Sequence, residues 1–117
     1  MEKHNIDYRI YPGLSYNIYD TRSAMKAVSE MFNVSTEEIK SKSRKRNIAD
    51  ARFIYCYITK KKLHYTLDVI GKTINRDHSS IVHAIKMVKI LEDQDIKIKN
   101  RISILESNVV IGKLKIK

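Results

Sequence analysis

The chain has 117 residues, 43% of them hydrophobic and 31% charged, which is enough for one domain with an apolar core and too few for two. Three glycines, one proline and no tryptophan exclude a turn-rich β-sandwich, which needs turn residues roughly every 8–12 positions. Lys and Arg number 23 against 13 Asp and Glu, a net +10 with a pI near 9.7, and a field of that sign gathers polyanions, of which nucleic acid is the commonest.

Residues 1–20 read as a partly ordered N-terminal extension. Met1 to Pro12 is polar and has no signal-peptide core, while Ile6, Tyr8 and Ile10 alternate with polar residues as strand edges do. From Thr21 the pattern turns helical: Met25, Val28, Met31 and Phe32 recur at three- and four-residue steps. Asn33-Val34 breaks this helix. Ser35 and Glu38 have capping-box spacing, so a short helix through Lys40 is predicted.

The run Lys40-Ser41-Lys42-Ser43-Arg44-Lys45-Arg46 has no apolar member and predicts a solvated basic loop in need of a counter-charge. Asn47 is the expected cap of the next long helix, with Asp50 in its first turn favoured by the helix dipole. Ile48, Ala51, Ile54, Tyr55 and Ile58 line its inner face, and Lys60-Lys61-Lys62 complements its carbonyl end. Cys56 is the only cysteine and lies in this apolar run, so a buried, inert thiol and a reducing compartment are expected.

Thr66 opens a short helix with Leu67, Ile70 and Ile74 inward, interrupted by Asn75-Arg76. Asp77 then caps a longer helix carrying Ile81, Ala84, Ile85, Val88 and Leu91, and a last helix over residues 95–105 carries Ile98, Ile102 and Leu105. Residues 107–117 read as a basic C-terminal tail, strand-like at Leu114 and Ile116. No stretch reaches the roughly 18 apolar residues of a membrane span, so no membrane partner is expected.

A short helix, a tight connection and a longer amphipathic helix over residues 66–88 is the sequence form of a helix-turn-helix. In that motif the N-terminal residues of the second helix meet base edges, and Asp77-His78-Ser79-Ser80 supplies small, hydrogen-bonding side chains there. Asp77 suits the cytosine amine, and Arg76 suits phosphate or guanine. The same residues also fit a plain N-cap and a solvated first turn.

Leu67-x-x-Ile70-Gly71 followed by Arg76-Asp77-His78-Ser79-Ser80-Ile81-Val82-His83-Ala84 closely resembles the C-terminal DNA-binding domain of DnaA, the bacterial chromosomal replication initiator. The likeness extends to the basic loop, to Ala51-Arg52-Phe53-Ile54 and to the final helix, covering residues 21–106. It implies an all-α fold, a helix-turn-helix within a Trp-repressor-like bundle of five to six helices. It implies that Asp77, His78 and Ser79 read bases in the major groove and that Arg44 enters the adjacent minor groove. Arg46, Arg52, Lys60 and Ser80 are implied phosphate contacts, with Arg76 added from its place before the cap. The implied partner is double-stranded DNA at sites like those of the initiator, bound by a monomer in the cytoplasm at the nucleoid. Three departures point to an altered target: Ile74-Asn75 stands where the family has two glycines, which shortens the turn by one residue, Phe53 replaces a Gln, and Leu63 replaces a phosphate-binding Thr.

No enzyme, nucleotide, cofactor or metal is expected. Gly71-Lys72-Thr73 imitates a P-loop end, but the glycine required five residues earlier is Thr66. His78 and His83 are five apart rather than four, so they do not share a helical face as metal ligands, and His83 is expected as a hydrogen-bonded histidine at a helix interface. The seven tyrosines have no sheet on which to stack bases. A transcriptional regulator or mobile-element protein with a different DNA target is the alternative reading, followed by an RNA-binding or acidic-protein-binding adaptor.

Overall fold

The computed structural model describes residues 17–110, and these form an all-α bundle. Its helices are α1 (Thr21–Phe32), α2 (Thr36–Lys40), α3 (Arg46–Tyr57), α4 (Leu67–Ile74), α5 (His78–Gln94) and α6 (Ile96–Ser107), with α3 running on into a π-helical turn at Ile58–Lys62. The strand-like alternations at residues 6–10 and 114–116 lie outside the described residues. Within them, Ile18 and Val109 form a single parallel bridge that ties the start of the bundle to its end.

Local chemistry sets most helix boundaries. The Asp20 carboxylate accepts the Ser23 N–H at 2.8 Å, and the Ser23 hydroxyl oxygen accepts the Asp20 N–H in return, so a reciprocal capping box starts α1. Asn33, left-handed at φ 55°, ends it. Ser35 and Glu38 form the expected reciprocal box at the start of α2, at 2.8 and 3.0 Å.

The start of α3 departs from expectation. Asn47 does not cap it: the cap is Lys45, two residues earlier, with no side-chain capping hydrogen bond. Asp50 therefore lies beyond the first turn, as a buried carboxylate paired with Arg46 Nε one turn earlier, at 3.4 Å. Burial raises its pKa above the ordinary carboxylate value, and the guanidinium opposes that shift. At the other end, the Thr59 hydroxyl donates to the Tyr55 and Cys56 carbonyls, and the Leu63 N–H reaches the Ile58 carbonyl five residues back. The added turn is therefore π rather than α.

The expected inner faces are buried except at Leu67 and Ile85, which are half-buried at the edge of the core. Met25, Val28, Met31 and Phe32 of α1 meet Ile48, Ala51, Ile54, Tyr55 and Ile58 of α3 and its extension, with Ile70, Ile74, Ile81, Ala84, Val88, Leu91, Ile98, Ile102 and Leu105 completing one core. The long α5 packs chiefly on α3, and α4 braces α5. The Tyr55 hydroxyl, 2.6 Å from the Thr73 hydroxyl, ties α3 to α4.

Cys56 is fully buried, and burial pushes its thiol up to about 12. Native protein at pH 8 is expected to resist an aromatic disulfide reagent and to release one equivalent of chromophore only in guanidinium. Rapid reaction of the native chain would contradict this packing.

Candidate nucleic-acid interface

The helix-turn-helix is α4, a turn and α5. Thr66 caps α4 by accepting the Val69 N–H at 3.2 Å. Asn75 ends it in the left-handed conformation, φ 58° and ψ 50°, and both its own N–H and that of Arg76 converge on the Gly71 carbonyl. Asn tolerates this conformation better than most residues, so it replaces glycine at the one point where the turn needs it. Gly71 is required for a different reason. A Cβ at this position overlaps the Arg76 carbonyl oxygen and would also lie 3.9 Å from Ile81 Cγ1. The two segments touch there backbone to backbone.

Asp77 caps α5, accepting the Ser80 N–H at 2.9 Å. That donated hydrogen bond holds its carboxyl below the ordinary value, with smaller help from His78 and Arg76. Asp77, His78 and Ser79 are exposed and Ser80 is half-buried, whereas Ile81 in the next position is fully buried.

The basic loop between α2 and α3 is built rather than merely solvated. The Ser43 N–H donates to the Ser41 hydroxyl at 3.1 Å, and the Lys45 N–H to the Ser43 hydroxyl at 3.2 Å, so alternate serines order a run of cations. Arg44 is exposed on it, and Arg46 is exposed at the first position of α3. Arg76, half-buried in the turn, donates from Nη2 to the Ser41 carbonyl at 2.7 Å, which fastens the loop to the helix-turn-helix.

Arg52 differs from expectation. Only 5% exposed, it is turned inward: Nε donates to the Ile39 carbonyl at 2.8 Å, and Nη2 donates to the Ser41 carbonyl at 2.8 Å and to that of Glu38 at 3.4 Å. Its guanidinium serves as a post for the loop instead of a surface phosphate clamp. Burial and the neighbouring Arg76 lower its pKa from the ordinary guanidinium value. His83 also departs from expectation. It is an exposed residue of α5 meeting Phe53 edge to face, ring centroids 5.9 Å apart, and not a hydrogen-bonded interface histidine.

One cleft therefore gathers Arg52, Arg76, Ser79 and Ser80 with Phe53 and His83 between α3 and α5. A second recess, at the tip of the helix-turn-helix, joins Asp77, His78 and Ser79 to Asp68 and Lys72 of α4. Lys60 stands apart from both, half-buried in the π turn. Ser41 and Asp68 are the two residues of this surface that the sequence did not single out. Ser41 meets the two arginines through its carbonyl, which carries no side-chain signal, and Asp68 reaches His78 only across the folded turn. Among the described residues, no group of three or more His, Cys, Asp or Glu is placed to hold a metal, and no helix is long and apolar enough to cross a membrane.

Comparison with known proteins accords with this geometry. The family described as "Bacterial dnaA protein helix-turn-helix" matches residues 22–88, which run from α1 through most of α5. The chromosomal replication initiator protein DnaA of Ureaplasma parvum is 44% identical over 91 residues, covering 76% of this chain and 19% of that protein. The DnaA proteins of Ehrlichia ruminantium (strain Gardel) and Thermosipho africanus are 37% identical over 81 residues and 39% over 77, covering 68% and 65% of this chain and 18% of each relative. The chain spans about a fifth of the length of these curated relatives. With more than half of its length matched by the family, and with that family's helix-turn-helix built from α4 and α5, the chain belongs to the bacterial DnaA helix-turn-helix family.

Proposed function

We propose that the chain binds double-stranded DNA in a sequence-dependent manner, with the tip of α5 in the major groove and the basic loop at the adjacent minor groove. In this reading Asp77, His78 and Ser79 meet base edges and Arg44 enters the minor groove. Arg46, Lys60, Arg76 and Ser80 hold phosphates, and Arg52 contributes by holding the loop. The observation that carries the proposal is the change of character along α5. Its first turn is polar and exposed, while Ile81, Ala84, Val88 and Leu91 bury the same helix against the bundle. A helix about 10–12 Å across, standing out by its end, fits a major groove roughly 12 Å wide.

Loop and helix tip are joined through the Ser41 carbonyl, so one rigid unit presents both to the duplex. The net charge of +10 supplies the sequence-independent attraction. Residues 21–106 form the binding unit, which acts as a monomer at sites resembling those of the initiator, in the cytoplasm at the nucleoid. Its work is recognition in the initiation of DNA replication, without catalysis. A-form RNA hides its major groove from a helix of this kind, which disfavours RNA as the target.

Base contacts and phosphate contacts leave different signatures. His78→Ala or Ser79→Ala is expected to relax preference at a single base pair, by about 1–3 kcal/mol. Arg46→Ala or Lys60→Ala is expected to weaken binding to all sequences alike and to flatten the dependence of log K on log salt by about one unit. Fluorescence anisotropy with singly substituted duplexes at several salt concentrations measures both. Indistinguishable profiles for the two groups would overturn the proposal.

A further inference from the structure

Asp68 lies in the first turn of α4, and its carboxylate faces the ammonium of Lys72 and the imidazole of His78. The Lys72 ammonium is 3.3 Å away, one turn further along the same helix, and Nε2 of His78 is 3.7 Å away across the helix-turn-helix. All three side chains are largely exposed, at 60%, 78% and 63%. Pairs this open to water contribute little to stability. The joint between α4 and α5 is closed without them, by Ile70, Ile74 and Ile81 and by the backbone contact at Gly71.

Geometry at the tip gives the contact a different use. An exposed histidine in the first turn of a helix has two chemically distinct ring edges and nothing of its own to fix which one faces outward. A carboxylate on the Nε2 side breaks that symmetry. It favours a proton on Nε2 and draws that edge toward α4. Lys72, Arg76, Asp77 and Ser79 share the recess, so the anion sits within the surface that would meet the groove.

We infer that Asp68 is a specificity-determining positioning residue: it holds the His78 imidazole by its Nε2 edge and thereby selects the base that His78 reads. This rests on the DNA-binding reading above. The first helix of the motif then shapes the sequence preference through the second, without touching a base itself. Lys72 offsets the repulsion that the Asp68 carboxylate exerts on nearby phosphates.

The test uses the full chain and a panel of duplexes carrying every single substitution in a site enriched by the wild-type protein. His78→Ala first identifies the base pair that His78 reads. Asp68→Ala and Asp68→Asn are then expected to lower preference at that pair about two- to fivefold, the range of an exposed ion pair. The preferences that depend on Ser79 and Arg44 stay as they were, and thermal melting of both variants matches the wild type. The double variant Asp68→Ala/His78→Ala is expected to read that pair no worse than His78→Ala alone. The inference is overturned if preference at that pair survives both Asp68 substitutions, if the loss spreads evenly over all pairs, or if the two losses add. If His78→Ala changes no base pair, base reading by His78 fails and the inference falls with it. That outcome is distinct from one in which His78 matters and Asp68 does not.

Discussion

Replacing Gly71 by alanine is expected to destabilise the domain by about 3 kcal/mol and to lower its melting temperature by roughly 15 °C. The new methyl would overlap the Arg76 carbonyl oxygen, and that oxygen belongs to the backbone of the turn, not to a side chain that can swing aside. Either α4 moves away from the turn or the turn opens. Opening it strains the two N–H groups that close on the Gly71 carbonyl, at Asn75 and Arg76. Asn75 is the internal control. Its φ of 58° is a conformational demand without a spatial one, so Asn75→Gly should leave stability unchanged or slightly raised, and Asn75→Ala should cost about 1 kcal/mol. Thermal melts of the three variants check the argument. A Gly71→Ala protein as stable as the wild type would show that the close approach at the turn is wrong.

The second large effect concerns Arg52. Arg52→Ala takes from the Ile39 carbonyl its charged donor, removes one of two arginine donors from the Ser41 carbonyl and a long contact from that of Glu38, and opens a void beside α3. Hydrogen bonds from a buried charged group contribute about 1.5–3 kcal/mol, and the Ile39 carbonyl left without that donor adds to the loss, so about 3 kcal/mol of stability should disappear in the absence of DNA. Arg52→Lys should not restore it, because one ammonium cannot reproduce a planar fork that donates from Nε and Nη2 in fixed directions. Urea denaturation without DNA separates this role from a phosphate contact. A surface phosphate clamp would leave the free protein's stability untouched and change only the salt dependence of binding. The loop carrying Arg44 should also loosen, so Arg44→Ala should weaken DNA binding less in the Arg52→Ala background than in the wild type.

Most of the bundle was legible from periodicity. The apolar steps of Met25 to Phe32, Ile48 to Ile58, Ile81 to Leu91 and Ile98 to Leu105 are the buried faces of α1, α3, α5 and α6, because a 3.6-residue period is itself a statement about which side meets the core. Caps with a local partner were legible too: Ser35 with Glu38, and Asp77 with the Ser80 N–H, depend only on residues three apart. Asn47 misled because its chemistry suits a cap. The helix instead starts two residues earlier, beside the pair Arg46–Asp50 and at the end of the serine-ordered loop.

What the sequence left hidden is where long cationic side chains go. Arg52 and Arg76 have the composition of surface phosphate contacts, and their destination, the Ser41 carbonyl, lies 11 and 35 residues away along the chain. A backbone acceptor carries no mark in its residue type. His83 sits in an apolar stretch, but the helix rotation at that position faces it outward toward Phe53. The family departures become intelligible in the same way. Asn75 serves the turn through its left-handed backbone, and Phe53 gives the outer face of α3 a ring partner for His83. Nothing in the structure explains Leu63 beyond its packing at the edge of the core.

The electrostatic layout separates two tasks. Arg44 and Lys45 stand on a loop fastened from beneath by Arg52 and Arg76 through the Ser41 carbonyl, and Arg46 is exposed beside them at the start of α3. Asp68 and Asp77 place negative charge at the tip of α5, where unselective attraction to phosphate would otherwise dominate. A surface positive overall and mixed in sign at its tip suits discrimination among sequences more than tight binding to any of them.

Selection from random duplex DNA, run in parallel with the wild-type chain and with His78→Ala, bears on this most directly. The wild type should enrich one short motif, and His78→Ala should enrich the same motif with a single neighbouring position degraded. Enrichment of no motif by the wild type, or of identical motifs by both proteins, would contradict recognition through the exposed end of α5.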